Sequence, residues 1–66
     1  MNENEALTAR LVGLRQEHRD LDTAIVALQN TPVFDQLQLQ RLKKRRLLLR
    51  DEIARINDHL HPDIIA

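Results

Sequence analysis

The heptapeptide QNTPVFD, residues 29–35, separates two regular stretches of the 66-residue chain. Pro32 lacks a backbone donor, and its ring disfavours the helical conformation at Thr31. A helix that arrives from the N-terminal side therefore has to bend or end at this point. The segment predicts a hinge over residues 30–35.

The end of the hinge carries the signals of a new helix. Asp35 followed three residues later by Gln38 resembles a capping box with aspartate in the cap position. Phe34 and Leu39 stand where the two partners of a hydrophobic staple would lie. The second helix is therefore predicted to begin at Gln36.

Upstream of the hinge, aliphatic residues recur at alternating intervals of four and three, which is the seam of a helix that packs lengthwise on another helix. His18 is the only polar residue in this seam. A strand does not fit, because apolar and polar residues do not alternate. The spacing predicts a helix over residues 5–29 whose seam consists of Leu7, Leu11, Leu14, His18, Leu21, Ile25 and Leu28.

Downstream of the hinge the same spacing returns, again with one polar residue in the seam, Arg46. Pro62 disfavours the helical conformation at the residue before it, so this helix should end near Leu60. The pattern predicts a helix over residues 36–60 and a tail over residues 61–66. The second seam consists of Leu39, Leu42, Arg46, Leu49, Ile53, Ile56 and Leu60.

Two helices of equal length joined by a short hinge predict an all-α fold, a two-helix antiparallel hairpin with facing heptad seams. The expected register pairs Leu28 with Leu39, Leu21 with Arg46, His18 with Leu49, and Leu7 with Leu60. In this register His18 and Arg46 lie within about one turn of each other. Asp20 or Asp22 is then the candidate partner of Arg46.

His18 and Arg46 are predicted to specify the register, because a single polar group in an apolar seam fixes alignment and oligomeric state at some loss of stability. pH sensing is an alternative role for His18, since histidine changes its charge near neutral pH. Register specification is the simpler interpretation of the two.

Composition limits the classes of function. The chain has no Cys, one Gly and a formal net charge of zero, and it lacks an apolar run long enough to span a membrane. A disulfide framework, a zinc–thiolate or iron–sulfur site and a glycine-rich nucleotide loop are excluded. His59 and His61 point to different faces of a helix, so no metal site is predicted. We expect no enzymatic activity, no cofactor and a cytoplasmic location.

A hairpin of this size buries only one stripe per helix, which seldom stabilises a fold without assistance. Leu37 and Leu48 lie nearly opposite the seam of the second helix on a helical wheel, and Leu47 lies to one side. Val12 and Val26 lie away from the seam of the first helix. Exposed apolar patches mark protein contacts. We therefore expect self-association, with a dimeric four-helix bundle as the simplest form.

The segment RLKKRRLLLR, residues 41–50, carries six positive charges and no acid. Such a cluster can bind phosphates through counterion release, but its side chains point around the whole helix axis and no aromatic residue lies nearby for base stacking. The other interpretation is a solvated helix that pairs with Asp20, Asp22, Asp51 and Glu52. The candidate interaction residues in and beside this segment are Arg41, Lys43, Lys44, Arg45, Arg50, Leu37, Leu47 and Leu48.

Two further candidates, Ile64 and Ile65, lie in the C-terminal tail. Apolar residues at a terminus are either frayed or form a short peptide that a partner binds. The sequence leaves both alternatives open.

Two runs of sequence resemble the YdcH-like family of small bacterial proteins. LRQEHRDLD, residues 14–22, matches the family's Glu-His-x-x-Leu-Asp run, and LKKRRLLLRDEI, residues 42–53, matches its basic run ending in Asp-x-Ile. Arg46 and Arg50 stand where lysine is usual. The resemblance, which covers about residues 11–57 and is stronger than that to the SlyX-like family, implies a short, coiled-coil-like, cytoplasmic protein without an assigned activity.

These features favour a non-catalytic protein-interaction or adaptor module that acts as a homo-oligomeric hairpin. The alternative is a nucleic-acid-associated protein that uses residues 41–50. The two differ in salt dependence, because phosphate binding weakens steeply as salt rises whereas a mainly apolar contact does not.

Overall fold

The computed structural model describes residues 2–62, which form two α-helices joined by a short connection. Helix α1 spans Glu3–Gln29 (27 residues) and helix α2 spans Gln36–Leu60 (25 residues). The helices pack against each other along their length as a hairpin, which confirms the predicted fold class. Neither helix within the described range is long and apolar enough to cross a membrane.

Helix α1 begins two residues before the predicted start at residue 5, because an N-cap lies further upstream. Asn2 is extended, and its side-chain oxygen accepts a hydrogen bond from the Glu5 N–H at 2.7 Å. Asparagine at the cap followed three residues later by glutamate is itself a capping signal. The negative charges of Glu3 and Glu5 also suit the positive end of the helix dipole.

The end of α1 is satisfied by groups from the connection. The Thr31 hydroxyl donates to the Ala27 carbonyl at 3.0 Å, and the Thr31 N–H donates to the Leu28 carbonyl at 3.1 Å. These bonds occupy carbonyls that have no partner inside the helix. Pro32 follows immediately, so α1 cannot continue past this turn.

Helix α2 begins where the capping signals placed it. The Asp35 carboxylate accepts hydrogen bonds from the N–H groups of Leu37 at 2.8 Å and Gln38 at 3.3 Å. Phe34 is half-buried and Leu39 is buried, as expected of a hydrophobic staple. The local sequence alone therefore accounts for the start of this helix.

At its other end, α2 stops at Leu60. The His61 N–H still donates to the Asn57 carbonyl at 2.9 Å, but the His61 backbone has left the helical region. Pro62 accounts for this end, because its ring disfavours the helical conformation at the preceding residue.

The core of the hairpin is a single thin layer between the two helices. All predicted seam positions are buried or half-buried. The buried side chains are Leu11, Ile25, Leu39, Leu49 and Ile56. A layer this thin leaves most of both helix surfaces open to contacts outside the hairpin.

We expect Asp35→Ala to lower the free energy of unfolding by about 1 kcal/mol, because two N–H groups in the first turn of α2 lose their acceptor. Thermal unfolding followed by circular dichroism measures this effect. Asp58→Ala, at an exposed position near the other end of α2, is the matched control and should change stability by less than about 0.5 kcal/mol. Equal losses in the two variants would contradict the capping role.

Candidate functional site

Asp22 joins the two polar residues of the seams. Arg46 Nη1 donates to Asp22 Oδ1 at 2.8 Å, and His18 Nδ1 lies 3.5 Å from Asp22 Oδ2. His18 Nε2 is buried and has no hydrogen-bond partner among the described residues. Of the two acids predicted as partners of Arg46, Asp22 takes that role, whereas Asp20 accepts a hydrogen bond from Gln16 on its own helix.

One edge of the hairpin carries a row of cross-helix polar pairs, called here the paired edge. Ion pairs join Arg10 with Glu52 and Glu17 with Arg45, and His59 Nε2 lies 3.5 Å from Glu3 Oε1. Arg45 Nη2 donates to both Glu17 carboxylate oxygens, at 3.1 and 2.9 Å. Arg10 Nε donates to Glu52 at 3.0 Å. Successive pairs are seven residues apart on each helix, which agrees with the antiparallel register expected from the seams.

The opposite edge carries an open groove between the helices, called here the arginine groove. Its lining residues are Arg15, His18, Arg19 and Asp22 from α1, and Arg50, Ile53, Ala54 and Asn57 from α2. Arg15 Nη2 donates across the groove to Asn57 Oδ1 at 3.4 Å. The groove therefore combines polar groups and short apolar side chains from both helices.

The arginine groove has an excess of positive charge. Arg15, Arg19 and Arg50 face a single carboxylate, Asp22, and that carboxylate is already bound by Arg46. Guanidinium groups bind carboxylates and phosphates through paired, charge-assisted hydrogen bonds. The arrangement is suited to binding an anionic group that spans the two helices.

Helix α2 directs the cations of residues 41–50 in different directions. Arg45 lies on the paired edge, Arg46 lies in the seam, and Arg50 lines the arginine groove. The remaining three are exposed and form no ion pair with any residue from 2 to 62: Arg41, Lys43 and Lys44. The basic segment is therefore one continuous run in sequence but not one continuous surface.

The expected carboxylate partners of this segment were only partly right. Asp22 binds Arg46 as predicted, but Glu52 binds Arg10 of the other helix, and the acid that binds Arg45 is Glu17. The reason is geometric: Glu52 and Arg45 lie on the same edge of α2, and both face α1 there. Sequence reasoning missed Glu17, although its position beside the seam residue His18 was a usable signal.

Arg15 and Arg19 were also missed as groove residues. Arg15 directly follows Leu14 of the seam, and Arg19 lies one helical turn further along the same side. Their positions become significant only when α2 brings Arg50 to the same edge. No group of three or more metal-ligating side chains occurs within the described part of the chain.

Several large aliphatic side chains remain exposed outside the core. The exposed fractions are 53% for Leu37, 57% for Leu47, 53% for Leu48, 65% for Val12, 56% for Val26 and 88% for Val33. The five that were predicted to lie away from the seams do so, and Val33 in the connection was not considered. Ile64 and Ile65 lie outside the described residues.

These features define a class of protein, a small helical hairpin with one neutralised edge and one cationic groove. The model of the family DUF465, a protein of unknown function, matches residues 11–57, a segment that contains the whole arginine groove. The chain belongs to this family, the YdcH-like family of small bacterial proteins. No curated protein and no solved structure matches the chain significantly.

We expect Asp22→Asn to lower the free energy of unfolding by about 1 kcal/mol, because Arg46 in the seam loses its charged partner. Glu17→Gln is the matched control on the paired edge, where Arg45 is more exposed, and should change stability by less than about 0.5 kcal/mol. Urea unfolding at constant salt measures both. A larger loss for Glu17→Gln would contradict a central role for Asp22.

We expect His18→Leu to raise the free energy of unfolding by about 1 kcal/mol, because it removes an unpaired buried nitrogen and adds apolar contact. The variant should also change the oligomeric state or its uniqueness if His18 specifies the register. Thermal unfolding and light scattering measure the two effects, with exposed Gln16→Leu as the control. Unchanged melting and an unchanged oligomer would contradict the register role.

Proposed function

We propose that the protein is a non-catalytic, cytoplasmic interaction module, a homo-oligomer of hairpins whose arginine groove binds an acidic amphipathic helix of another protein. The observation that carries this proposal is the unequal charge of the two edges. On the paired edge, Arg10 and Arg45 are neutralised by Glu52 and Glu17 of the facing helix. The groove instead presents three arginines around one carboxylate that Arg46 already occupies.

The shape of the groove supports a helical partner. It runs between two antiparallel helices, so a third helix can lie along it with its apolar side inward. Ile53 and Ala54 provide apolar surface in the groove. Val26, which is exposed, lies about one turn from Asp22 and extends that surface on α1. Acidic residues flanking the partner's apolar side would face the arginines.

The self-association in this proposal is supported by the thin core. Among residues 2–62, five apolar side chains are buried, whereas six large aliphatic side chains are at least half exposed. A helical hairpin with so little buried apolar surface gains stability from further contacts. The exposed leucines on α2 can form such contacts between copies of the hairpin.

Nucleic acid remains the second candidate partner, favoured by the exposed cations Arg41, Lys43 and Lys44 of residues 41–50. A surface that binds the phosphate backbone of a nucleic acid gains affinity by neutralising several phosphates at once. Its cations must therefore lie on one face of the protein. The division of this segment among an edge, the seam and the groove favours the protein partner.

We expect Arg50→Glu to weaken partner binding about tenfold or more, because it places an anion in the groove. Arg55→Glu is the matched control, with the same charge change on an exposed residue of the same helix outside the groove. The measurement is affinity capture from a nuclease-treated lysate of the native bacterium, followed by titration of the captured protein at low and moderate salt.

The expected result is one protein that binds the wild type and Arg55→Glu, and that Arg50→Glu fails to retain. Equal retention by the two variants would contradict binding in the groove. Retention of nucleic acid alone, with a steep loss of binding as salt rises, would contradict the protein partner and support the alternative.

A further inference from the structure

The outer face of α2, which points away from α1, carries exposed residues that neither the hairpin nor the groove uses. Its centre is a pair of adjacent leucines, Leu47 and Leu48, with exposed fractions of 57% and 53%. Lys44 lies about one turn before this pair and Asp51 about one turn after it. Both charged residues are exposed, and neither forms an ion pair with any residue from 2 to 62.

The order of these four residues makes the face complementary to itself. Antiparallel packing of two identical helices reverses the residue order of one against the other. A two-fold axis between Leu47 and Leu48 therefore places Lys44 of each copy opposite Asp51 of the other. The same axis brings the four leucines together at the centre, as an isologous contact requires.

The residues that flank the four leucines are compatible with this antiparallel contact. Arg41 lies opposite Ala54 of the second copy, and Gln40 lies opposite Arg55, so no cation lies directly opposite another cation. The arginine groove behaves differently, because two copies joined through it would bring guanidinium groups together. Charge therefore favours the outer face of α2 over the groove as the contact between copies.

We propose that two hairpins associate through the outer faces of α2, antiparallel and two-fold symmetric about Leu47 and Leu48, with reciprocal ion pairs between Lys44 and Asp51. The inference rests on the self-association in the proposed function and names its interface. It leaves the arginine groove of each hairpin uncovered. It also predicts a more extended arrangement than a compact four-helix bundle.

A charge exchange tests the interface. Lys44→Glu and Asp51→Lys each replace two opposite-charge contacts with two like-charge contacts, so each should raise the dimer dissociation constant about tenfold. The double variant Lys44→Glu/Asp51→Lys restores opposite charges in reversed order, and its dissociation constant should return to within about threefold of the wild-type value. Sedimentation equilibrium at low salt measures all four proteins, and circular dichroism establishes that each is helical.

Two further variants separate the interface from general charge effects. Asp20→Lys makes the same charge change as Asp51→Lys at an exposed position of α1, away from the outer face of α2, and it should leave the dissociation constant unchanged within about twofold. Leu47→Asn/Leu48→Asn removes the apolar centre without changing charge, and it should give a helical monomer.

The outcomes distinguish the outer-face interface from the proposed self-association on which it rests. A wild-type protein that stays monomeric at about 100 μM would overturn both the interface and the self-association. A wild-type dimer in which the double variant fails to recover would overturn the interface alone. An interface variant that loses the dimer but still binds the partner in the capture assay would support the outer-face interface and an arginine groove separate from it.

Discussion

The Asp22 carboxylate binds Arg46 and lies beside His18, the two polar residues that interrupt otherwise aliphatic seams. A seam of leucines alone can slide by one heptad with little change in contact, because each leucine meets another leucine. Asp22 removes that freedom, since Arg46 finds its carboxylate only in one alignment. The cross-helix contacts on both edges depend on this alignment. The distribution of charged groups on the two edges therefore depends on the contact between Asp22 and Arg46.

The alignment also distributes charge between the edges. A chain with ten cations and ten anions could have neutralised both edges equally. Instead, Glu17 and Glu52 bind arginines on the paired edge, and the arginine groove keeps a single carboxylate that Arg46 occupies. A neutral protein thus presents a locally cationic surface, which net charge alone does not reveal.

Much of the fold could be predicted because its signals are local. Pro32 and the Asp35 cap define the connection and the start of α2, and the seam spacing selects the buried side of each helix. Asn2 was a local signal too, but the heptad pattern that guided the boundary begins only at Leu7. The register reduced the candidate partners of Arg46 to Asp20 and Asp22, and the structure shows that Asp22, directly beside the seam residue Leu21, is the partner.

The candidate site was harder to predict because it belongs to neither helix alone. Arg15, Arg19 and Arg50 come together only after the hairpin forms, and no spacing within either helix distinguishes them from ordinary exposed arginines. The basic run of residues 41–50 shows the opposite case. Its cations are close together in sequence, but they point to different sides of the helix and do not form one cluster in space. A cluster in sequence and a cluster in space are different properties for a helix.

The two proposed contacts of α2 are compatible because they use different sides of one helix. Arg50 faces the groove between the helices, whereas Lys44 and Asp51 lie on the outer face. A dimer joined through the outer faces would hold two grooves in a fixed relation, so a partner with two acidic helices would bind with a raised effective concentration. Folding and association would also be linked, because a hairpin with so few buried side chains among residues 2–62 gains stability from any contact that binds only the folded chain.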